Sequence, residues 1–414
     1  MNRKLIPTLR FPEFNKDSAW QQKALAELGE LVSGLTYSPN DVREEGMLVL
    51  RSSNIQNGKI SLEDCVYVRP EINGANISKP NDILICVRNG SKNLIGKNAL
   101  IPENLPLATH GAFMTVFRSE RANFVFQLFQ TPDYQRQVDG DLGATINSIN
   151  GSNFLKYVFS VPSDGEQQKI ADCLSLLDDL IAAHSQKLDL LKDHKKGLMQ
   201  DLFPAEGESV PRVRFEEFEG EWMEEKLGNV GSFYKGKGIS KVDVEMNGVT
   251  PCVRYGELYT HYGEIIRDVI SYTNVPIEEL VISKGNDVII PSSGETKEDI
   301  ATASCVINDG IALGGDLNII RTNLDGVYLA YYLNNAKKQD ISKLAQGISV
   351  VHLYNQQLKL LDIRVPPTLS EQQKIADCLS SLDDQIQAQT QKIEALKLHK
   401  KGLMQQLFPN PENA

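Results

Sequence analysis

The sequence predicts an α+β protein made of two similar halves, each a globular domain of mixed strands and helices followed by a long helix. The segment 166–173 returns unchanged at 371–378, and most aligned positions stay identical up to Pro204 and Pro409. Before each repeat, short apolar runs alternate with Gly, Asn and Pro, which is typical of strands separated by turns. We therefore predict a duplicated architecture in which the two long helices pack against each other.

Both repeats carry apolar side chains in alternating steps of four and three residues. That period places them on one face of a helix, and its persistence over about five heptads is typical of a coiled coil. A helix of this length extends roughly 55 Å at 1.5 Å per residue. The predicted seam consists of Ile170, Leu174, Leu177, Ile181, Leu188, Leu191, Ile375, Leu379, Leu382, Ile386, Ile393 and Leu396.

A lysine interrupts each seam, Lys195 in the first repeat and Lys400 in the second. In a parallel pair the two lysines would meet and repel each other. An antiparallel pair instead places Lys195 near Asp383-Asp384 and Lys400 near Asp178-Asp179. Because polar seam residues specify register, we predict an antiparallel pair within one chain. The alternative is that each helix packs only on its own domain, with the lysine side chains extending to water.

A shorter repeat predicts that the chain is organised circularly. The segment 7–14, followed by Trp20, resembles the segment 211–218, followed by Trp222. The second copy follows the first long helix, whereas the first copy opens the chain. We therefore expect a near two-fold arrangement with the termini close together. The predicted boundaries are 1–162 for the first globular domain, 163–204 for the first long helix, 205–366 for the second globular domain, 367–409 for the second long helix and 410–414 for a tail.

Composition restricts the class of protein. The 414 residues suit two to three domains, and the formal net charge is -11. Charges balance in residues 1–165, and the acidic excess lies mainly in residues 204–370, so neither half is the strongly basic kind of domain that binds DNA unaided. Since there is no long apolar run and no signal-peptide pattern, we expect a soluble cytoplasmic protein without membrane contact.

Motifs that carry enzyme chemistry are missing. The six cysteines form no C-x-x-C or Cys/His cluster, and no phosphate-binding loop occurs. One pattern, Asp287 followed by Glu295 and Lys297, matches a short nuclease spacing that could hold Mg²⁺. The first half lacks the glutamate at the matching place. We therefore predict no catalytic and no metal-binding residues, and the alternative is a self-contained nuclease.

These features together resemble a known family. Two variable domains and two nearly identical long helices, beginning Glu-Gln-Gln-Lys-Ile-Ala and ending Leu-Met-Gln-x-Leu-Phe, resemble the specificity subunit of type I restriction–modification systems. The resemblance spans the whole chain. It implies a non-catalytic protein whose globular domains are target recognition domains, each binding one half of a bipartite sequence in double-stranded DNA.

The resemblance also implies partners and a role for the helices. The helix pair would set the length of the spacer between half-sites, so a change of about four helical residues should alter that spacer alone. It would also bind two modification subunits, which methylate adenine with S-adenosylmethionine. Two restriction subunits, which use ATP and Mg²⁺, can join such complexes. This chain itself would bind no cofactor.

Polar loops that follow matching strands are the predicted DNA contacts. Arginine suits guanine, asparagine and glutamine suit adenine, and glutamate can accept from the cytosine amino group. Any one of these side chains could equally face solvent, so the loops as units are the prediction. The candidates are Arg51, Ser52, Asn54, Gln56, Asn57, Lys59, Arg88, Asn89, Ser91, Lys92, Arg254, Tyr255, Glu257, Tyr259, His261, Tyr262, Ser292, Ser293, Glu295 and Lys297.

A function without DNA remains an alternative. Duplicated domains on a coiled coil also suit a structural adaptor that binds other proteins and dimerises through its helices. The acidic balance of the chain favours this alternative slightly. The sequence specifies neither the recognised bases nor the spacer length.

Overall fold

The protein divides into two compact units, each containing parts of both long helices. The computed structural model describes residues 6–142, 147–347 and 350–409, so the predicted tail 410–414 lies outside the described residues. Unit 1 comprises residues 1–185 and 392–414, and unit 2 comprises residues 186–391. Each unit therefore combines one globular half with the first part of one long helix and the last part of the other.

The first half contains short strands and three short helices before its long helix. The strands are β1 (Gln21–Ala24), β2 (Glu30–Ser33), β3 (Val42–Arg43), β4 (Met47–Leu50), β5 (Ile55–Gln56), β6 (Lys59–Ile60), β7 (Tyr67–Val68), β8 (Ile83–Cys86), β9 (Asn98–Leu100), β10 (Ala108–His110), β11 (Met114–Arg118) and β12 (Val158–Val161). The helices are α1 (Ala122–Leu128), α2 (Pro132–Asp141), α3 (Gly151–Phe154) and the long α4 (Asp164–Asp201).

The second half repeats this plan with a longer main sheet. Its strands are β13 (Met223–Lys226), β14 (Gly231–Lys235), β15 (Thr250–Val253), β16 (Ile265–Ile266), β17 (Ser271–Thr273), β18 (Asp287–Pro291), β19 (Ser293–Gly294), β20 (Ser304–Val306), β21 (Ala312–Leu313), β22 (Leu317–Thr322), β23 (Val351–His352) and β24 (Asp362–Val365). Its helices are α5 (Tyr255–Thr260), α6 (Lys297–Ile300), α7 (Gly326–Asn335), α8 (Lys338–Leu344), α9 (Asn355–Leu358) and the long α10 (Leu369–Leu407).

The strand order shows that the halves share one topology. In unit 1 the main sheet has the order β2-β11-β8-β9, and in unit 2 it has the order β14-β22-β18-β20-β16. A second sheet contains a parallel pair in each unit, β4 with β10 and β15 with β21. The first and last strands of each globular half also pair, β1 with β12 and β13 with β24. The predicted α+β class and the predicted duplication are confirmed.

The repeated Asn-Asp dipeptide has a local structural cause. Asn81 and Asn286 adopt left-handed backbone angles, with φ values of 65° and 79°, in the turns before β8 and β18. Asparagine tolerates this region better than most residues. The following Asp82 carboxylate accepts a hydrogen bond from the Lys79 backbone N–H at 2.8 Å and lies 2.7 Å from Arg118 Nη2. The dipeptide is therefore a turn that starts a buried strand.

The two long helices pack antiparallel, as the seam lysines predict. In unit 2, Lys195 Nζ on α4 lies 2.6 Å from Asp383 Oδ1 on α10. In unit 1, Lys400 Nζ on α10 lies 2.6 Å from Asp178 Oδ2 on α4. A parallel pair cannot produce both contacts, because they join the end of each helix to the beginning of the other. Among the twelve predicted seam residues, none is exposed.

Matching contacts in the two units support the predicted circular organisation. In unit 1 the Leu9 backbone N–H donates to the Gln406 carbonyl at 2.9 Å, joining the opening segment to the end of α10. In unit 2 the Val213 N–H donates to the Asp201 carbonyl at 3.0 Å, joining the linker to the end of α4. The same contact thus joins residues far apart in the sequence in unit 1 and residues close in the sequence in unit 2.

The tryptophans and one buried ion pair complete this junction in each unit. Trp20 packs edge-on against Phe408 with ring centroids 6.1 Å apart, and Trp222 packs against Phe203 at 6.5 Å. The first glutamate of each helix repeat is 1% exposed and pairs with an arginine of the preceding segment. These pairs are Arg10 with Glu166 at 2.6 Å and Arg214 with Glu371 at 2.8 Å.

Two consecutive helices, α1 and α2, follow β11. The first ends at Leu128, and the second begins at Pro132 with the Thr131 hydroxyl accepting from the Tyr134 backbone N–H. Proline cannot continue a helix but suits its first turn. In the described part of the chain, no helix is long and apolar enough to cross a membrane.

Candidate nucleic-acid interface

The two predicted loops of the first half lie together. One follows β4, the other follows β8, and these strands belong to different sheets. The Asn89 side-chain amide donates to the Ser52 hydroxyl at 3.1 Å and so links the loops directly. A third segment joins them, since the Asn147 side chain donates to the Gly90 carbonyl at 3.1 Å. The sequence pattern indicated the first two segments, whereas Asn147 was missed.

The loop after β4 forms a tight hairpin that exposes polar side chains. Asn57 and Gly58 have φ values of 51° and 74° between β5 and β6, which is the geometry of the Asn-Gly hairpin turn. Asn54 is fully buried, and its amide donates to the carbonyls of Ser61 and Asp64. Asn54 therefore holds the loop in shape and does not face a ligand.

Arg88 and Phe113 form an exposed pair beside these loops. The Arg88 guanidinium carbon lies 5.6 Å from the centroid of the Phe113 ring. Phe113 is 58% exposed, so part of its ring is accessible to a ligand. An aromatic ring beside a cation can stack on a base or a sugar. Phe113 directly precedes β11, and no sequence signal distinguished it from a core residue.

In the second half a cleft brings the predicted loops together. Arg254, Tyr255 and Tyr259 line one side of it and Glu295 lines another. The Tyr255 and Tyr259 rings lie 6.4 Å apart. The segment around Lys241, which sequence reasoning missed, also lines the cleft. The lining therefore combines two aromatic rings and two cations with four acidic residues, Asp243, Glu257, Glu295 and Asp316.

Glu257 is a supporting residue, because its carboxylate is 5% exposed and fully engaged. It accepts from Arg254 Nε at 3.0 Å and from the Ser271 hydroxyl at 2.6 Å. Tyr262 is also turned inward: its hydroxyl accepts from the Ile270 N–H at 2.9 Å, and burial raises the pKa of Tyr262 to about 12. Both contacts stabilise the loop.

The two serines after β18 also serve the fold. Ser292 is 4% exposed. The Ser293 hydroxyl donates to Asp316 Oδ1 at 3.2 Å. The predicted residues that the structure leaves exposed on these loops are Gln56, Asn57, Lys59, Arg88, Ser91, Lys92, His261, Glu295 and Lys297.

The nuclease-like spacing does not assemble a metal site. Asp287 is 1% exposed, accepts from the Lys284 backbone N–H at 2.9 Å and lies 3.3 Å from Arg321 Nε. Burial raises the pKa of the Asp287 carboxyl despite the opposing arginine charge. It is thus the equivalent of Asp82 in the first half. Across the described ranges, no group of three or more His, Cys, Asp or Glu side chains could hold a metal ion.

Comparison with known proteins agrees with the resemblance. The putative type I restriction enzyme MjaX specificity subunit of Methanocaldococcus jannaschii is 25% identical over 405 residues, covering 94% of this chain and 92% of that protein. The type I restriction enzyme EcoKI specificity subunit of Escherichia coli is 28% identical over 194 residues, covering 44% of this chain and 41% of that protein.

A solved structure and a family model cover most of the chain. The crystal structure of the type I restriction–modification system S subunit from M. genitalium superposes with a TM-score of 0.63 at 15% identity, covering 98% of this chain and 99% of that one. The model described as "type I restriction modification DNA specificity domain" matches twice, at residues 17–193 and 219–398. This chain therefore belongs to the family of type I restriction–modification DNA specificity proteins.

Proposed function

We propose that this chain is the non-catalytic DNA specificity subunit of a type I restriction–modification complex. Each globular half binds one half of a bipartite, asymmetric target in double-stranded DNA. The observation that carries the proposal is one framework repeated with different loops. The framework contacts Arg10–Glu166 and Arg214–Glu371 are the same in both units. The loops after β4 and β15 instead form a hairpin in one unit and helix α5 in the other.

Divergent loops on a retained framework suit two half-sites of different sequence. Base contacts carry specificity, whereas phosphate contacts carry affinity and position. The exposed loop side chains include amides, cations and a carboxylate, which suit different base edges. An adaptor that bound one kind of protein partner twice would have no need for such different loops. Membership of the DNA specificity family also disfavours the adaptor.

The exposed residues of the two long helices are consistent with binding of two copies of one partner. Packing explains why buried residues are retained between the repeats, but it does not explain identical exposed residues. We assign these faces to the binding of two modification subunits, which would methylate DNA with S-adenosylmethionine. Restriction subunits, which use ATP and Mg²⁺, would then bind to the same complex. The residues exposed and identical in both helices include Gln168, Asp172, Gln186, Lys187, Lys192, His194, Lys196 and Gln200, with their twins Gln373, Asp377, Gln391, Lys392, Lys397, His399, Lys401 and Gln405.

The acidic net charge fits a complex in which partners contribute phosphate contacts. Lysine and arginine side chains at phosphates dominate the affinity of proteins for DNA. In this chain 54 acidic side chains outnumber 43 basic ones, so the chain as a whole does not attract phosphate. Modification subunits on either side would complete the contact with the DNA backbone.

The proposal is tested by lengthening the helix pair while preserving its seam. Seven residues inserted after Ser185 and seven after Gln391 add one heptad to each helix at the boundary between the units. Each helix then gains roughly 10 Å, which corresponds to about three base pairs. The methylated motif of cells that also make the modification subunit should keep its half-site bases and gain about three spacer positions.

A matched control inserts seven residues into α10 alone, which breaks the pairing of the two helices. That variant should lose specific methylation and become less stable, because its seam can no longer pair in register. Changed half-site bases with an unchanged spacer in the double insertion would contradict the role of the helices. No methylation with the wild-type chain present would contradict the proposed function as a whole.

A further inference from the structure

An arginine follows the same strand in both units, Arg51 after β4 and Arg254 after β15. We propose that these two residues, called here the paired arginines, are equivalent guanine-recognising side chains, one for each half-site. Each is held by a carboxylate that leaves one end of its guanidinium free. This inference rests on the proposed function. It adds to it the base that is recognised, guanine, and the group that contacts it, an arginine guanidinium.

The backbone shows that the paired arginines occupy equivalent positions. Both follow a strand that belongs to a parallel pair, β4 with β10 in unit 1 and β15 with β21 in unit 2. The Arg51 backbone N–H donates to Asn54 Oδ1 at 2.9 Å, and the Arg254 N–H donates to Glu257 Oε2 at 3.1 Å. In each unit the side chain three residues ahead thus caps the arginine backbone. The same turn presents the arginine although the segments that follow differ.

The guanidinium groups are anchored on one side only. Arg51 Nη2 lies 2.7 Å from Asp64 Oδ1, and Arg254 contacts Glu257 Oε1 through Nη2 at 2.8 Å and through Nε at 3.0 Å. Among the described residues, no hydrogen bond or ion pair uses Nη1 of either arginine. The side chains remain 34% and 26% exposed. Nη1 of each arginine can therefore reach a ligand, together with the outer N–H of Nη2 in Arg254. In Arg51, Nη2 also donates to the Asp64 carbonyl at 3.3 Å, so Nη1 alone is the free end.

Other duplicated arginines show what a purely structural pair looks like. Arg118 pairs with Asp82 at 2.7 Å in unit 1, and Arg321 pairs with Asp287 at 3.3 Å in unit 2. Both members of this pair, and their positions in the sheet, are the same in the two units. A contact that serves only the fold thus keeps both of its residues in the two units.

The paired arginines follow a different rule. In unit 1 the supporting acid is Asp64, thirteen residues after Arg51, and in unit 2 it is Glu257, three residues after Arg254. The acid has changed in identity and in position, whereas the arginine has not. The retained element is thus the oriented arginine, which points to a ligand that both halves bind in the same way.

Guanine is the base that matches this geometry. Its major-groove edge presents two acceptors, O6 and N7, and a bidentate arginine is their commonest specific partner. A guanidinium already held by a carboxylate loses less freedom on binding, because its planar fork is oriented beforehand. In unit 2 the aromatic rings of Tyr255 and Tyr259 line the same cleft as Arg254 and can enclose the contact.

The test replaces each arginine by lysine, which keeps the charge but lacks the rigid planar fork that matches two acceptors. Arg51→Lys and Arg254→Lys are compared with Arg118→Lys, which makes the same chemical change in a framework pair. Target preference is measured by selection from random DNA with the purified complex of this chain and its modification subunit. Each wild-type half-site should contain a guanine on one strand.

Arg51→Lys should lower discrimination at one position of one half-site by roughly ten- to hundred-fold. Arg254→Lys should do the same at one position of the other half-site, and Arg118→Lys should change no base preference. Glu257→Gln, which weakens the support of Arg254, should relax the same position as Arg254→Lys to a smaller extent. The unaffected half-site in each variant shows that the complex is folded.

Unchanged base preference in both lysine variants would overturn the inference and assign the arginines to phosphate contacts. Relaxation of both half-sites by one variant would overturn it too, since it would indicate a general loss of structure. Half-sites that contain no G·C pair would also overturn the inference. If the wild-type complex selects no bipartite sequence at all, the proposed function itself fails, so the two failures are distinguishable.

Discussion

Replacing Lys195 by methionine should destabilise unit 2 more than the matching change at Lys400 destabilises unit 1. Methionine keeps an unbranched apolar stem in the seam and removes only the charge. The substitution leaves the carboxylates that Lys195 contacts without their cation. The difference between the two sites follows from the number of partners that each lysine has.

The structure sets the expected magnitudes. Lys195 Nζ lies 2.6 Å from Asp383 and 3.2 Å from Glu264, and it lies 5.1 Å from the centroid of the Tyr331 ring. Its side chain is 15% exposed. Because hydrogen bonds to charged groups contribute about 1.5–3 kcal/mol each, and partial exposure reduces this, we expect Lys195→Met to cost about 2–3 kcal/mol. Lys400 Nζ donates to both carboxylate oxygens of Asp178, at 2.7 and 2.6 Å, but contacts no second carboxylate among the described residues. With one negative charge to satisfy, Lys400→Met should cost about 1–2 kcal/mol.

A double-mutant cycle isolates the ion pair from other effects of the substitution. Lys195→Met, Asp383→Asn and the double variant are unfolded in urea and followed by circular dichroism. The coupling energy between the two positions should be about 1–2 kcal/mol, since they are in direct contact. Hydrogen-exchange mass spectrometry should place the loss of protection in unit 2 for Lys195→Met and in unit 1 for Lys400→Met.

Stability equal to wild type in Lys195→Met, or a coupling energy below about 0.5 kcal/mol, would refute the claim that this charge pair stabilises the helix pair. Loss of protection in the wrong unit would refute the antiparallel geometry. Salt offers a second check. Because the pair is largely buried, 0.5 M NaCl should reduce its coupling energy only in part.

Two further outcomes follow from close packing and from burial. Gly236→Ala should lower the free energy of unfolding in urea by at least about 2 kcal/mol, because its Cβ would lie 1.9 Å from the Gly314 carbonyl oxygen. The control is Gly263→Ala, whose Cβ would meet nothing within 4 Å and which should be near neutral. Burial lowers the pKa of His110, so protonation favours the unfolded state and stability should fall as pH drops below about 6.5. Thermal unfolding of wild type and His110→Leu at pH 7.5 and 5.5 measures this, and an equal loss in both proteins would exclude His110 as the cause.

The helices were predictable because their information is local and repeated. The period of apolar residues defines the seam, and Lys195 can satisfy its charge against Asp383 only if the helices run antiparallel. Likewise, the Asn-Asp dipeptide that repeats in the two halves, at 81–82 and 286–287, marks a turn before a buried strand. Such features need no knowledge of distant contacts.

The candidate site was less predictable because its residues come from distant segments. Phe113 meets Arg88 because strands that are far apart in the chain pair with each other. Asn147 also comes from a distant segment, and its side chain donates a hydrogen bond to the Gly90 carbonyl. Asn54 and Glu257 have the residue types of base contacts but turn inward to hold their loops. Sequence alone cannot separate a polar side chain that supports a loop from one that faces a ligand.

The most direct test of the proposed function is single-molecule sequencing for methylated adenine in cells that make this chain together with the proposed modification subunit. We expect one bipartite, asymmetric motif with a spacer of fixed length, which disappears when this chain is omitted. Methylation that does not depend on this chain, or a motif that is continuous or has a variable spacer, would contradict it.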